Sequence, residues 1–284
     1  MHILVFGGAG QVGTELGEID TPHKMTRIDV AEADLTEDGA AAAAIAARRP
    51  DYVINAAAFT NVDGAESKPD LARRLNADVV GEMAAAAQQA GAGFFHISTD
   101  YVFDGATKTL LNEEAATNPL NIYGETKRAG EIAALDAHED AVVLRTAWVF
   151  SAFGANFVKT MLRLGAERES LSIVDDQIGG PTPAAAIAEA AMTVADAHFD
   201  GRNAPGLYHF QGAPAVSWAG FAAEIFSLAA LNTDVNKIPT TDYPTPARRP
   251  LHTVLDCAKI ENAFGIKQPD WRAALKEIIA RLNA

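Results

Sequence analysis

The chain has 284 residues, of which 49% are hydrophobic and 21% charged, and its formal net charge is −14. That length is enough for one large α/β domain or two smaller ones, while the acidity argues against nucleic acids and anionic membrane surfaces as partners. The chain has a single cysteine, Cys257, and no signal-like or bilayer-length apolar run, a pattern typical of a reduced, cytoplasmic protein.

Strands and helices alternate through the first half of the sequence. Short apolar or β-branched runs predict strands at 2–6, 24–29, 51–56, 93–98 and 141–146. The stretches between them predict helices at 11–19, 37–48, 69–90 and 121–136. This alternation predicts an α/β fold with a Rossmann-type, doubly wound parallel sheet that helices cover on both faces.

The second half differs in composition, because glycine and proline cluster there from about residue 150. Helices are expected at 156–167, 183–198, 217–230 and 270–283, with short strands near 171–174 and 206–210. We therefore expect an NAD(P)-binding domain over 1–150, to which later segments return. A smaller, mixed α/β lobe over 151–284 is expected to bind the substrate.

A glycine turn, Gly-Gly-Ala-Gly-Gln-Val-Gly at 7–13, follows the first strand and opens the first helix. Gly7 permits the tight turn, and Gly10 lets a pyrophosphate approach the backbone. Gly13 allows the helix to pack closely on the strand. Because the turn comes first in an alternating chain, it predicts a dinucleotide site.

The second strand ends at a carboxylate, Asp29. A carboxylate there can accept hydrogen bonds from both ribose hydroxyls, and it would repel a 2′-phosphate. Arg27 lies close enough in sequence to soften that repulsion, so NADH is favoured and NADPH stays open. The small side chains after Asn55, at 56–58, would let a cofactor lie against the sheet edge, or would serve the packing of a helix on the sheet.

Tyr123 and Lys127 are four residues apart on one face of a predicted helix. A free phenol has a pKa near ~10, and a nearby ammonium lowers that value, which would help the phenol exchange protons. Thr99 ends the fourth strand, at the sheet edge where α/β folds bind ligands, and its hydroxyl can polarise a carbonyl. Ser98 is the rival for that role, whereas His96 is expected to be a core residue.

Further side chains suit an activated sugar. Trp148 follows the fifth strand, where an aromatic face could stack on a sugar or simply join the core. Arg248 and Arg249 lie in a proline-rich loop, where they could meet a diphosphate or remain in solvent.

Three strings carry a resemblance to a known family: Gly-Gly-Ala-Gly-Gln-Val-Gly at 7–13, Ser-Thr-Asp-Tyr-Val-Phe-Asp-Gly at 98–105 and Tyr-Gly-Glu-Thr-Lys at 123–127. Shorter matches run from Asn-Ala-Ala-Ala at 55–58 to Tyr-Pro-Thr-Pro-Ala at 243–247 and extend the resemblance over nearly the whole chain. The sequence resembles the dTDP-4-dehydrorhamnose reductases, a branch of the extended short-chain dehydrogenase/reductases.

The resemblance implies reduction of the C4 ketone of dTDP-4-dehydro-L-rhamnose by NADH or NADPH, giving dTDP-L-rhamnose. It makes Tyr123 the proton donor, Lys127 its assisting base and Thr99 the carbonyl-binding hydroxyl. Sugar contacts are implied for Asp100 and Trp148. Cofactor contacts are implied for Gly10, Gln11, Val12, Asp29, Asp34, Leu35, Ala58 and Thr60. Tyr123 and Lys127 are also expected to bind the cofactor, because the lysine can hold the nicotinamide ribose.

Some relatives dimerise through Mg²⁺ held by glutamates, and Glu15 matches one such position, so the resemblance leaves a homodimer and a Mg²⁺ site open. The chain departs from the family pattern at two places. Phe59 stands where many relatives have histidine, and Leu251-His252-Thr253 replaces a usual Asn-Ser pattern.

Two rival functions share parts of the pattern. A nucleotide-sugar epimerase or dehydratase uses the same scaffold, but a dehydratase often has Asp-Glu after the threonine, whereas Asp100-Tyr101 follows Thr99 here. An epimerase would show no net NADH consumption. A non-catalytic NADP-binding regulatory subunit could keep Tyr123 and Lys127 yet reduce no keto-sugar. The reductase remains the preferred prediction.

Overall fold

A computed structural model describes residues 1–283 of the chain. Its strands in chain order are β1 (His2–Phe6), β2 (Lys24–Ile28), β3 (Tyr52–Asn55), β4 (Gly93–Thr99), β5 (Val142–Thr146), β6 (Val149–Phe150), β7 (Ser170–Val174), β8 (Ile178–Gly179), β9 (Thr182–Pro183), β10 (Gly206–His209), β11 (Val216–Ser217) and β12 (Asp234–Ile238). Its α-helices are α1 (Gln11–Leu16), α2 (Ala40–Arg48), α3 (Val62–Ser67), α4 (Pro69–Arg73), α5 (Val79–Ala90), α6 (Ile122–Ala137), α7 (Phe157–Glu167), α8 (Ala184–Phe199), α9 (Trp218–Leu228), α10 (Ala258–Phe264) and α11 (Trp271–Leu282).

The central sheet has six strands in the order β10-β5-β4-β3-β1-β2, and every neighbouring pair is parallel. The order reverses at β1, because the chain first builds outward to β2 and then crosses to β3 on the other side. This confirms the Rossmann-type, doubly wound sheet predicted from the alternating pattern. At such a reversal the crossovers diverge, and a crevice opens at the carboxyl ends of the strands.

Both faces of the sheet are buried around its inner strands β1, β3, β4 and β5, which explains why these strands are mostly apolar, whereas the edge strand β2 is largely polar. Along β1, Ile3 and Val5 enter the hydrophobic cluster with α1, α8 and α10, while Leu4 and Phe6 enter the opposite cluster with α2, α5 and α6. Successive side chains of a strand point to opposite faces, so four consecutive residues of β1 contribute to two hydrophobic clusters.

The part of the chain after residue 150 contributes in two places. Helix α8 packs on α1, and β10 pairs with β5, so both belong to the central layers. A third hydrophobic cluster forms among α7, α9, α11 and β7, and it is centred on aromatic side chains such as Phe221 and Trp271. Within residues 1–283, no helix is both long and apolar enough to cross a membrane.

Several elements differ from the sequence expectation. The helix expected at 69–90 is α4 and α5 joined by a π-helical turn, Arg74–Asp78, which turns Asn76 into the interior. Strand β12 was not expected, because its sequence, Asp-Val-Asn-Lys-Ile, is largely polar. It forms a separate two-stranded sheet with β7. Helices α3 and α10 are too short for their periodicity to stand out.

Candidate active site

The glycine turn brings the backbone of two strand ends into contact. Gly7 has a φ of +80°, and a Cβ there would meet the backbone of Ala56 and Ala57 after β3. A Cβ on Gly13 would meet the carbonyl of Gly7, so α1 can lie against the turn only because this residue is glycine. Gly10 begins α1 without any side-chain cap. The turn therefore presents bare backbone at the crevice, as a dinucleotide requires.

A cleft of about 170 Å³ opens beside the turn, at the carboxyl ends of β1, β2 and β3. It is lined by Phe6, Gly7, Ile28, Asp29, Val30, Ala33, Asp34, Leu35, Thr36, Ala57, Ala58 and Leu75. Five residues predicted to bind the cofactor are in this lining. The only charged side chains in it are two carboxylates, Asp29 and Asp34, so the cleft suits a neutral ribose and adenine better than an additional phosphate.

The other predicted cofactor residues lie outside that lining. Val12 is 8% exposed and packs into the core, so its side chain cannot reach a ligand. The side-chain oxygen of Gln11 accepts a hydrogen bond from Asn156 at 2.9 Å, which ties the turn to the chain after β6. Thr60 is exposed at the end of the loop after β3. The backbone of these positions remains free to contact a cofactor.

Asp29 is held by the glycine turn itself. One of its carboxylate oxygens accepts from the amide of Ala9 at 2.8 Å, and the other accepts from the amide of Val30 at 2.8 Å. Arg27 donates to the carbonyls of Gly8 and Gly13 at 3.3 and 3.2 Å. The guanidinium of Arg27 is thus bound to the backbone of the glycine turn.

Asn76 supports the cofactor loop and was missed by the sequence analysis. Its side chain is fully buried, accepts from the Phe59 amide at 2.8 Å and donates to the Phe59 carbonyl at 3.1 Å. This pairing fixes the loop from Ala58 to Thr60 whatever side chain residue 59 carries, which explains how phenylalanine is tolerated there. The only sequence signal was a lone asparagine within an apolar helical pattern.

Helix α6 carries the expected tyrosine and lysine. Asn121 caps it by accepting from the Gly124 amide at 2.8 Å, and it also donates to the carbonyl of Arg248 at 2.7 Å. A Cβ on Gly124 would meet the carbonyl of Tyr101, so the first turn of α6 lies directly against the segment after β4. That close approach brings Tyr123 to the end of β4.

Thr99 and Tyr123 meet at the sheet edge, as the sequence predicted. Thr99 is 5% exposed at the carboxyl end of β4, and its hydroxyl lies close enough to the Tyr123 phenol to oppose the rise in the pKa of the tyrosine. Ser98 does not compete for this position, because its hydroxyl donates to the buried Glu131 carboxylate at 2.6 Å. Of the two hydroxyls, Thr99 is the one that faces the tyrosine.

The pKa of Tyr123 differs from the sequence expectation. The pKa is raised to about 12, mainly by burial and to a smaller extent by the charge of Asp100, while the Thr99 hydroxyl opposes the rise. We expected Lys127 to lower this pKa, but burial dominates. The phenol is therefore fully protonated near neutral pH, which suits a group that must give up a proton.

Lys127 is 2% exposed and lies one helical turn after the tyrosine. Its Nζ donates to the carbonyl of Ile97 at 2.6 Å and lies 3.3 Å from Nε2 of His96. Burial lowers the pKa of Lys127 to about 8, against the opposing charge of Glu131. The lysine can thus gain or lose a proton near physiological pH.

Asp100 follows Thr99 and is almost fully buried. Its carboxylate accepts from Thr99 at 3.2 Å and from the hydroxyl of Thr253 at 2.5 Å. Burial raises the pKa of Asp100 to about 6, although both hydrogen bonds favour the ionised form. The departure from the family pattern at Thr253 therefore keeps a hydroxyl, and that hydroxyl joins the loop before α10 to the site.

A second cleft of about 570 Å³ is lined in part by Tyr101, whose ring packs edge-on against Tyr123. Its lining comprises Tyr101, Phe157, Met161, Leu164, Arg168, Ser170, Leu171, Ser172, Ile173, Val174, Gln177, Trp218, Tyr243 and Arg249. Arg249 is paired with Asp63 at 2.8 Å, whereas Arg248 is exposed. Most side chains that line the cleft are apolar, and two arginines, Arg168 and Arg249, also line it, which suits a nucleotide with a diphosphate.

Trp148 does not offer the open aromatic face that was expected. Its ring stacks on Trp218 at a centroid separation of 3.5 Å, and Gly179 lies against the same ring. Trp218 rather than Trp148 lines the cleft, and its Nε1 donates to Gln177 at 3.2 Å. Trp148 thus packs behind Trp218, on the side away from the cleft. Trp218 was missed in the sequence because no motif lies near it.

Glu15 is buried and its carboxylate accepts from the Ser151 hydroxyl at 2.5 Å. Because the Glu15 carboxylate is buried and bonded to Ser151 of the same chain, it is not placed to hold a metal between two subunits. Residues 1–283 contain no group of three or more histidine, cysteine or acidic side chains arranged for a metal ion. The homodimer implied by the resemblance stays a prediction.

Comparison with known proteins agrees with this geometry. The family model described as RmlD substrate binding domain matches residues 1–284. A dTDP-4-dehydrorhamnose reductase of Shigella flexneri is 41% identical over 293 aligned positions, covering 99% of this chain and 98% of the relative. Among solved structures, a dTDP-4-dehydrorhamnose reductase of Clostridium acetobutylicum is 36% identical with a TM-score of 0.95, and all of both chains is covered. One from Bacillus anthracis, solved in complex with NADP, is 34% identical with a TM-score of 0.92, over 99% of both chains.

Proposed function

The chain belongs to the RmlD substrate-binding-domain family, and on this premise we propose that it is a dTDP-4-dehydrorhamnose reductase. It reduces the C4 ketone of dTDP-4-dehydro-L-rhamnose to the alcohol of dTDP-L-rhamnose, and a reduced nicotinamide cofactor supplies the hydride when bound. The observation that carries the proposal is that Thr99 at the end of β4 lies beside Tyr123 and Lys127 of α6, at the sheet edge that also carries the glycine turn.

The chemistry assigned to the chain follows from these groups. Tyr123 donates its phenolic proton to the C4 oxygen as negative charge develops there, and Thr99 donates a hydrogen bond to the same oxygen. Lys127, as an ammonium, stabilises the phenolate that remains. Because the pKa of Tyr123 is about 12, loss of a proton from the free phenol does not limit the reaction near neutral pH.

The two clefts divide the ligands between them. We assign the adenosine end of the cofactor to the cleft with Asp29 and Ala58, and the nucleotide of the sugar to the cleft with Trp218 and Arg249. Asp100 is assigned to the sugar itself because it is the buried carboxylate next to Thr99. The C4 ketone would then lie beside Thr99 and Tyr123.

We propose that NADH is preferred over NADPH, because both charged groups lining the adenosine cleft are carboxylates. Replacing Asp29 with serine is expected to raise the NADPH-to-NADH ratio of kcat/KM by about tenfold or more, which corresponds to about 1.4 kcal/mol of relieved repulsion. Asp38→Asn, which removes an equal charge from an exposed loop residue, is the matched control and should leave the ratio unchanged. An unchanged ratio in Asp29→Ser would contradict the assignment.

Purified protein incubated with dTDP-4-dehydro-L-rhamnose and each reduced cofactor tests the function directly. We expect loss of the absorbance of the reduced nicotinamide in proportion to the dTDP-L-rhamnose formed. An epimerase would convert the sugar without net consumption of the cofactor, and a regulatory subunit would bind the cofactor without converting the sugar. Either result would refute the proposal.

A further inference from the structure

A buried histidine links two strands to the catalytic lysine. His96 is fully buried in β4, with Asn55 at the end of β3 on one side and Lys127 on α6 on the other. Its Nδ1 lies 3.1 Å from Nδ2 of Asn55, and its Nε2 lies 3.3 Å from Nζ of Lys127. The mechanism above gives this histidine no part, although it contacts a catalytic side chain.

The orientation of Asn55 fixes which imidazole nitrogen carries the proton. Oδ1 of Asn55 accepts from the amide of Ala57 at 3.1 Å, so its Nδ2, which can only donate, faces Nδ1 of His96. Nδ1 of His96 must therefore be the acceptor. A neutral imidazole has one N–H, and here it must be on Nε2, the nitrogen that faces Lys127.

That tautomer has a consequence for the lysine. An ammonium has three donors and no lone pair, so it cannot accept a hydrogen bond from the Nε2–H of His96. A neutral amine can accept that bond while it still donates to the carbonyl of Ile97. The contact therefore stabilises the amine and opposes the ammonium.

We propose that the Asn55–His96 pair is a positioning pair that sets the proton occupancy of Lys127 by turning an imidazole N–H toward its Nζ. The pair acts through the lysine and touches neither hydride nor ketone. Its consequence for catalysis rests on the function proposed above, where Lys127 works as an ammonium. Its effect on the lysine itself does not depend on that function.

The other groups around Lys127 are accounted for. On α6, Tyr123 is protonated near neutral pH, and Glu131 favours the ammonium but shares its charge with Arg145 of β5 and Arg128. Asp100, after β4, acts on the tyrosine. Burial and the neighbouring Lys127 lower the pKa of His96 far below its usual range. The imidazole is therefore neutral, as the proposed hydrogen bond from its Nε2–H requires.

Nitrogen NMR on the free wild-type protein tests the proposal, and a Lys127→Met variant serves only to assign the lysine signal. In protein labelled with ¹⁵N-histidine, we expect His96 to carry its proton on Nε2 and to keep Nδ1 unprotonated across pH 6–9. In protein labelled with ¹⁵N-lysine, the Nζ signal that Lys127→Met removes should titrate near pH 8. A His96 proton on Nδ1 would overturn the proposal.

Two variants would present a hydrogen-bond acceptor, in place of the Nε2–H donor of His96, to Nζ of Lys127. His96→Gln can present a side-chain oxygen to Lys127, and Asn55→Asp accepts from Nδ1–H, which frees Nε2 to accept from the ammonium. Both should raise the Lys127 titration midpoint by about one pH unit or more, and move the alkaline loss of kcat/KM upward with it. His138→Gln, a buried histidine that bonds Ala92 and Asp140 far from the site, is the matched control and should not move the midpoint.

The outcomes separate the two proposals. An Nζ midpoint that stays at its wild-type value in both variants would overturn the role of the Asn55–His96 pair. A midpoint that moves while the pH profile of turnover does not would leave the pair's effect on Lys127 in place and would contradict the catalytic role of the lysine.

Discussion

Replacing Tyr123 with phenylalanine is expected to lower kcat by about 10²- to 10⁴-fold, the range that a positioned proton donor contributes. The substitution removes one oxygen and leaves the ring that packs edge-on against Tyr101 at 5.5 Å. The C4 alkoxide then has no side-chain acid beside it, and Thr99 alone cannot supply a proton without taking one from solvent. The Kd for the reduced cofactor should change little, because the ring and Lys127 remain.

A matched control is available in Tyr208→Phe. Tyr208 is buried, and its hydroxyl donates to the carbonyl of Ala204 at 2.8 Å, away from both clefts. That variant should lose some stability and keep kcat. Near-normal turnover in Tyr123→Phe, or an equal loss in both variants, would contradict the role assigned to Tyr123.

Glu131→Gln is expected to lower the free energy of unfolding by about 3–5 kcal/mol, because it leaves a buried guanidinium without its counter-charge. Glu131 is 0% and Arg145 1% exposed, and the two are joined by a pair of 2.7 Å hydrogen bonds. Ser98 also donates to this carboxylate, so the pair holds the end of β4 to α6 and β5. Urea unfolding monitored by circular dichroism measures the change.

Two further variants show whether the unpaired charge is the cause. Glu131→Leu combined with Arg145→Met removes both charges and should be more stable than Glu131→Gln alone. Glu167→Gln breaks an exposed ion pair with Arg163 and should cost about 0.5 kcal/mol or less. A Glu131→Gln variant as stable as Glu167→Gln would refute the importance of the buried pair.

The sequence predicted what depends on local pattern. Alternating apolar runs predicted the first five strands of the sheet, and the family resemblance that the motifs suggested is confirmed by the comparisons. Thr99 and Tyr123 were predicted to meet because one ends a parallel strand and the other begins the following helix. Topology brings such positions to the same edge of the sheet.

What the sequence left open depends on contacts between distant segments. Asn76, Thr253 and Trp218 belong to loops or helix starts with no motif of their own, and only the fold brings them to the site. The direction of the Tyr123 pKa shift was wrong because the lysine was visible in the sequence, whereas the burial that outweighs it was not. His96 was expected to be a core residue, and its contact with Lys127 requires the geometry of β3, β4 and α6 together.

In the proposed reaction, Tyr123, Thr99 and Lys127 assist the net transfer of one hydride from the cofactor to C4 of the sugar. The most direct measurement is to supply cofactor deuterated at the transferable position of the nicotinamide and to locate the label in the product by NMR. We expect one deuterium per product molecule, at C4 of dTDP-L-rhamnose, with none elsewhere on the ring and one oxidised cofactor formed for each. A product without deuterium at C4, or a label that returns to the cofactor with no net oxidation, would contradict the proposed reaction.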